Sequence, residues 1–297
     1  MNLYEQISSN KRKSILLILI FIIIIGLLGY AFGLFISNIF VGLIYAAVIS
    51  LFTTLVAYYA GDNAILKLSG AIPADKKKYP SLVNAVDGIA IAAGIPTPKI
   101  YVIDDTAINA FATGRDPKHA SVTVTTGAIK RLKRDELEGV IAHELSHIRN
   151  YDIKMMMFVV ILVGVTALLS DLFLRSMFYG RGREDRKTGL IGVIIILIGL
   201  ILAVLAPLIA QLIKFAVSRQ REFLADSDGA LLSRNPEGLA NALKKIRDDK
   251  EPLVEAANKA TAHLFIENPL RTFGGRINSL FSTHPDINER IKRLERF

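Results

Sequence analysis

His143-Glu144-Leu145-Ser146-His147 spells H-E-x-x-H. On a helix, residues four apart lie about 40° apart around the axis, one turn above one another. Both imidazoles then leave the same face and reach one metal ion. Glu144 projects beside them, within reach of a proton on a water held there. That is the wiring of a zinc peptidase. A surface helix carrying two chance histidines is the alternative, and a chain with only five His makes it a rare accident.

The residues around the motif point inward. Leu137, Val140, Ile141, Leu145 and Ile148 wrap the helix expected over residues 135–151. A helix apolar on more than one side is a buried one. Buried His and Glu need partners, and a divalent cation supplies one. The chain has no Cys, which excludes disulfides, thiolate ligands and a Cys nucleophile. Zinc must then rest on His and carboxylate.

A catalytic zinc takes three protein ligands and keeps one position open. The best candidate for the third is Glu222, in Glu222-Phe223-Leu224-Ala225-Asp226. Glu222 and Asp226 share a helix face, so Glu222 can bind the metal while Asp226 accepts an N–H from a ligand His and fixes its tautomer. A solvated acidic face gives the same spacing. Position separates the two readings, because Glu222 directly follows a long apolar run.

Four such runs organise the chain. Its 297 residues are 52% hydrophobic with a mean hydropathy of +0.40, too apolar for an ordinary soluble domain. Residues 14–36 and 39–60 are uncharged and form a hairpin turning at Ser37-Asn38. The first run is too long for a signal peptide and no A-x-A site follows it. Residues 155–174 and 190–215 are the third and fourth runs, with a basic loop between them and Pro207 as a kink. Residues 61–154 have the composition of a globular domain: a helix over 79–94, strands at 100–103, 108–113 and 121–126, then the H-E-x-x-H helix. A final helix covers 287–295. We therefore expect an α+β membrane protein, mainly α, with about four hydrophobic helices. Its parts are a hairpin at 1–60, a catalytic domain at 61–154 and 216–297, and a second hairpin inserted at 155–215. The net charge of +9 reads as lysines and arginines flanking apolar runs rather than as a nucleic-acid surface, and no nucleic-acid partner is expected.

The chain resembles the HtpX family of membrane-bound zinc metalloproteases, relatives of the CAAX prenyl endopeptidases. The matching residues are the leading apolar hairpin, Asn109-Ala110-Phe111-Ala112-Thr113-Gly114, Thr126-Gly127, Glu136-Leu137-Glu138 and the H-E-x-x-H motif. Arg221-Glu222-Phe223-Leu224-Ala225-Asp226 and Ser282-Thr283-His284-Pro285 follow. The resemblance implies a zincin-like (gluzincin) catalytic domain with a small β-sheet and one Zn2+ per chain. It implies Glu222 as third ligand and an endopeptidase of membrane-protein quality control, acting on unfolded or membrane proteins. It also suggests that Asn109 contacts substrate backbone.

Parity gives an independent check. His143, His147 and Glu222 share an ion only if the segment between them crosses the bilayer an even number of times, and it holds two apolar runs. Glu144 is expected to be the general base and acid. His284 offers a donor to the tetrahedral oxyanion, or else caps the last helix. Arg290 reads as an exposed helical arginine, with an oxyanion donor or a residue that supports the metal ligands from behind as the other options. Substrate is expected as an added strand along Val122, Thr123 and Val124, if that strand is an edge; as an interior strand it would have only a structural role. Lys11, Arg12 and Lys13 precede the first run, so the positive-inside rule puts the N-terminus and the catalytic domain in the cytoplasm of a multi-pass inner-membrane protein. The third and fourth runs carry five flanking cations on each side and do not orient themselves. Prenyl-peptide processing and a non-catalytic, zinc-stabilised membrane scaffold are the alternatives. An intact Glu144 disfavours the scaffold, since a structural zinc needs no base.

Overall fold

A computed structural model describes residues 38–159, 219–249, 264–266 and 285–297, and within the first thirty residues 8–9, 12–16, 18–20, 22–23, 25–26 and 30. About half of the first apolar run, the third from residue 160 on, all of the fourth, the loop 175–189, the stretch 268–276 and His284 lie outside the described residues.

Helix α1, Ile39–Leu68, opens on Asn38, whose side chain accepts from Val41 N at 3.2 Å. It is the one described helix long and apolar enough to cross a membrane, with a hydropathy of 2.4. Phe40, Ile44, Leu51, Phe52 and Tyr59 are exposed along it, whereas Ile65 and Leu66 are buried. The run expected to stop at residue 60 therefore continues as helix for two further turns, and those turns enter the protein core.

A four-stranded mixed sheet follows, in the order β1-β2-β4-β3. Its strands are β1, Ile72–Pro73; β2, Lys99–Ile103; β3, Ala110–Gly114; and β4, Ala120–Thr125. Helix α2, Pro80–Ala93, precedes β2 and ends on Gly94 in the left-handed conformation (φ 67°). Three strands and this helix lie where the sequence places them, within a residue or two. The two-residue β1 carries no alternation that a sequence could display.

One expectation fails here. β4 pairs in parallel with β2 and antiparallel with β3, so Val122, Thr123 and Val124 are interior and their backbone is already bonded on both sides. A substrate strand cannot add to β4. The edges of the sheet are β1 and β3.

The sheet divides two cores. Val102, Ala110, Ala112, Val122 and Val124 face the helices of the catalytic half. Ile103 and Phe111, on the other face, meet the end of α1 and Met155, Met156 and Met157 at the start of the third apolar run. The period-2 alternation of strand side chains thus places one face toward the catalytic helices and the other toward chain entering the apolar segments.

The catalytic face is helical. It holds α3, Thr126–Arg131; α4, Arg134–Arg149; α5, Arg219–Ser233; α6, Pro236–Asp248; and α7, Ile287–Leu294. Helix α4 carries the H-E-x-x-H motif and lies against α5, α6 and α2. Close approach is bought with glycine. A Cβ at Gly229 of α5 would sit 3.0 Å from His143 N, and one at Gly139 of α4 would sit 2.6 Å from Leu239 N. The fold is mostly helical with a small mixed sheet; a count of four hydrophobic helices is not reached by the described residues.

Candidate metal centre

Helix α4 starts where Glu136 Oε2 accepts from Lys133 N at 2.6 Å, and the same oxygen takes an ion pair from Lys245 of α6 at 2.6 Å. From there the helix runs through the core. Leu137, Val140, Ile141, Leu145 and Ile148 are buried, as their wrap-around pattern predicts, and so are His143, Glu144, Ser146 and His147.

The two imidazoles meet one carboxylate from α5. His143 Nε2 and His147 Nε2 are 3.2 Å apart. Glu222 Oε2 lies 3.7 Å from His143 Nε2, and Glu222 Oε1 lies 3.6 Å from His147 Nε2. One ligating atom from each of the three residues falls within 4.8 Å of the others. Glu144 lines the same cavity with Ala112, Asp152, Ile153, Met156, Leu264 and Ile266. The cavity is about 10 Å³, roughly the space of one water or ion.

Each histidine is held from behind. His143 Nδ1 is 3.0 Å from Asp226 Oδ1, and His147 Nδ1 is 3.0 Å from Asp152 Oδ2. A Nδ1–H donated to a carboxylate leaves the Nε2 lone pair pointing into the cavity, the tautomer a metal requires. Each aspartate is in turn held by an arginine. Arg290 Nε and Nη2 donate to Asp226 at 2.9 and 2.7 Å. Arg221 Nε meets Asp152 Oδ1 at 2.9 Å.

Electrostatics separates the two histidines. Burial, helped by the Arg290 guanidinium, pushes His143 down to about 4 despite Asp226. Burial also acts against a charged His147, but the hydrogen bond to Asp152 and the carboxylates of Glu222 and Glu144 outweigh it and raise His147 to about 9. Burial would raise Asp226, yet Arg290 and His143 hold it down at about 2. The two histidines thus differ: the carboxylates of Asp152, Glu222 and Glu144 favour charge on His147, whereas burial and Arg290 disfavour it on His143. Two imidazole nitrogens and a carboxylate are the ligand set of a catalytic zinc, and the donor set fits that ion.

Among the expected site residues, His143, Glu144, His147, Glu222 and Asp226 come together. Val122, Thr123 and Val124 do not, being interior to the sheet. Asn109 stands at the head of β3, where its side-chain oxygen accepts from Ala110 N at 3.0 Å; it is not among the cavity-lining residues. His119 is on the surface, 2.9 Å from Asp116. Arg290 overturns the exposed reading: it is fully buried behind Asp226, in the supporting place that was its other option. Helix α7 buries Ile287, Arg290, Ile291 and Leu294 on one face, a spacing that places Arg290 on the apolar side and could have revealed it. Asp152 carried no such signal.

Residues 76–297 match the model of peptidase family M48. The chain is 48% identical over 295 residues to the protease HtpX homolog of Caldanaerobacter subterraneus subsp. tengcongensis, covering 99% of this chain and 97% of that one. It is 47% identical to the homolog of Dictyoglomus thermophilum, covering 98% and 93%. The homolog of Streptococcus thermophilus strain LMG 18311 is 41% identical, with 99% of each chain covered. The crystal structure of S. mikatae Ste24p shares the fold, with a TM-score of 0.51 at 18% identity. The match covers 98% of this chain and 66% of the Ste24p chain. With near-full-length identity to HtpX proteases and a family match over three quarters of its length, the chain belongs to peptidase family M48, in its HtpX group.

Proposed function

We propose that His143, His147 and Glu222 bind one zinc ion per chain and that Glu144 is the proton carrier of peptide hydrolysis. The chain is a membrane zinc endopeptidase of protein quality control. The observation that carries the residue assignment is the convergence of three ligating atoms within 4.8 Å, two from α4 and one from α5, whose nearest ligands His147 and Glu222 are 75 positions apart in the chain. When bound, zinc supplies a water with its pKa lowered to about 7 and polarises the scissile carbonyl. Glu144 takes the proton from the attacking water and hands it to the leaving amine. Asp226 and Asp152 each take the Nδ1 side of a histidine, so that both Nε2 atoms would be turned to the metal.

Substrate belongs on the outer edge of β3. Ala110 O faces away from β4 and accepts from Ile266 N at 3.0 Å. Strand groups repeat every two residues, so Ala112 N–H and C=O face the same way, beside the cavity its side chain lines. Asn109 flanks this edge. An extended peptide there pairs through its backbone and tolerates many sequences. Ala112→Pro removes one outward N–H and leaves the β3–β4 ladder intact. We expect kcat/KM to fall about tenfold, the worth of one hydrogen bond, with little change in kcat; an unchanged KM would place substrate elsewhere.

Lys11, Arg12 and Lys13 before the first apolar run support a multi-pass inner-membrane protein with a cytoplasmic catalytic domain. The 2.9 Å contact between Asp152 and Arg221 supports the division into 1–60, 61–154 with 216–297, and an inserted hairpin at 155–215, because both ends of the insertion meet at one point. A Cys introduced at exposed Lys99 in this Cys-free chain should react with an impermeant thiol reagent only after cells are opened. Labelling of intact cells would reverse the orientation.

Cleavage of casein by the detergent-purified chain tests the function as a whole. Activity should vanish with a chelator and return with added zinc. Cleavage that survives chelation would remove zinc from the reaction. Prenyl-peptide processing and a non-catalytic scaffold are not favoured, since the near-full-length relatives are HtpX proteases.

A further inference from the structure

Asp226 is half of a pattern, and the other half is Asp152. Each zinc-facing histidine donates to an aspartate and each aspartate is gripped by an arginine, giving His143–Asp226–Arg290 and His147–Asp152–Arg221. The second relay has a feature the first lacks. Arg221 is the residue immediately before Glu222, in the first turn of α5. One carboxylate therefore touches a ligand on α4 with Oδ2 and, through Oδ1, the turn that carries the ligand from α5.

The backbone is bent to put it there. Helix α4 ends at Arg149, with Asn150 as its C-cap. Tyr151 then takes φ 60°, the left-handed region, which non-glycine residues rarely enter. Without that reversal, Asp152 would continue around the helix, away from the His147 face. With it, Asp152 comes back 3.0 Å from the His147 ring and is 1% exposed. Strained backbone persists where the surroundings over-determine it, commonly at functional sites. A second clamp supports the turn: Asn150 Nδ2 donates to Asp228 Oδ2 of α5 at 3.0 Å.

We infer that Asp152 is a positioning residue of the metal centre, which fixes the His147 tautomer and, through Arg221, the placement of Glu222. This rests on the zinc assignment proposed above. Two of the three ligands then depend on one carboxylate, located where the metal helix passes into the third apolar run and where the fourth returns.

Zinc affinity of the full chain in detergent, measured by competition with a chromogenic chelator, tests this. Asp152→Asn keeps the shape and removes the charge. Loss of such a partner weakens metal binding about 10–100-fold, and that is the expected loss. Arg221→Gln leaves Asp152 against His147 and should weaken zinc several-fold less than Asp152→Asn does. The visible spectrum of the cobalt-substituted protein should change in Asp152→Asn, reporting a displaced imidazole, while the metal-free melting temperatures of the two variants stay alike. Zinc binding by Asp152→Asn within about threefold of the parent chain would overturn the inference. So would equal losses in the two variants, which would make the pair a helix link only. If Asp152→Asn fails to accumulate, Asp152→Glu keeps the charge but moves it outward and is read by the same criteria. The parent chain binding no zinc would instead bring down the ligand assignment, and this inference with it.

Discussion

Glu144→Gln is expected to bind one zinc per chain as tightly as the parent and to lose about 10²–10⁴-fold in kcat, the range of a positioned general acid–base. The glutamine fills the same buried position on α4 and leaves His143, His147 and Glu222 in place. It cannot accept the water's proton or deliver it to the leaving amine. Metal content and casein turnover measured on one preparation separate the two roles. Near-parental turnover would remove Glu144 from the reaction, and loss of zinc would make it a ligand.

Arg290→Met is expected to have the largest effect on stability. Arg290 is fully buried and holds Asp226 through two nitrogens, and its Nη1 donates to Ile266 O at 3.1 Å. Methionine fills the space and leaves a buried carboxylate without its cation. Breaking a buried pair from one side costs about 3–5 kcal/mol. With Arg290 gone, the carboxylate that holds His143 Nδ1 is free to protonate, so zinc affinity should fall as well. The double variant Asp226→Leu/Arg290→Met should recover much of the melting temperature, since an apolar replacement of a whole buried pair is tolerated. It should not recover zinc affinity, because His143 then lacks its acceptor. A single variant as stable as the parent would contradict the buried-pair reading. A double variant that regains tight zinc would contradict the orienting role of Asp226.

Much of the site was legible in the chain because its chemistry is encoded at helical spacing. His143, Glu144 and His147 fall within five residues, and Glu222 and Asp226 within five more. The aliphatic residues wrapping α4 announced its burial. Residues whose roles depend on tertiary placement were not legible. Asp152 lies beyond the helix end and reaches His147 only through the left-handed Tyr151, a conformation that a Gly or Asn would have signalled and a Tyr does not. Arg290 lies 64 positions after Asp226, and its charge argued for exposure until its partner was known. The substrate strand was misplaced for a similar reason. Ser121-Val122-Thr123-Val124-Thr125-Thr126 has strong β character, but edge or interior depends on strand order, and a parallel neighbour 22 positions earlier leaves no local mark on it.

The central claim is that one zinc is held by two histidines of α4 and a glutamate of α5. Zinc K-edge X-ray absorption on the Glu144→Gln chain tests it most directly, with Glu222→Ala alongside. The expected result is one zinc per chain with two imidazole nitrogens and a carboxylate oxygen at about 2.0–2.2 Å, and loss of the metal in Glu222→Ala. Zinc retained in Glu222→Ala with an unchanged ligand shell, or a shell without two imidazoles in Glu144→Gln, would contradict the account.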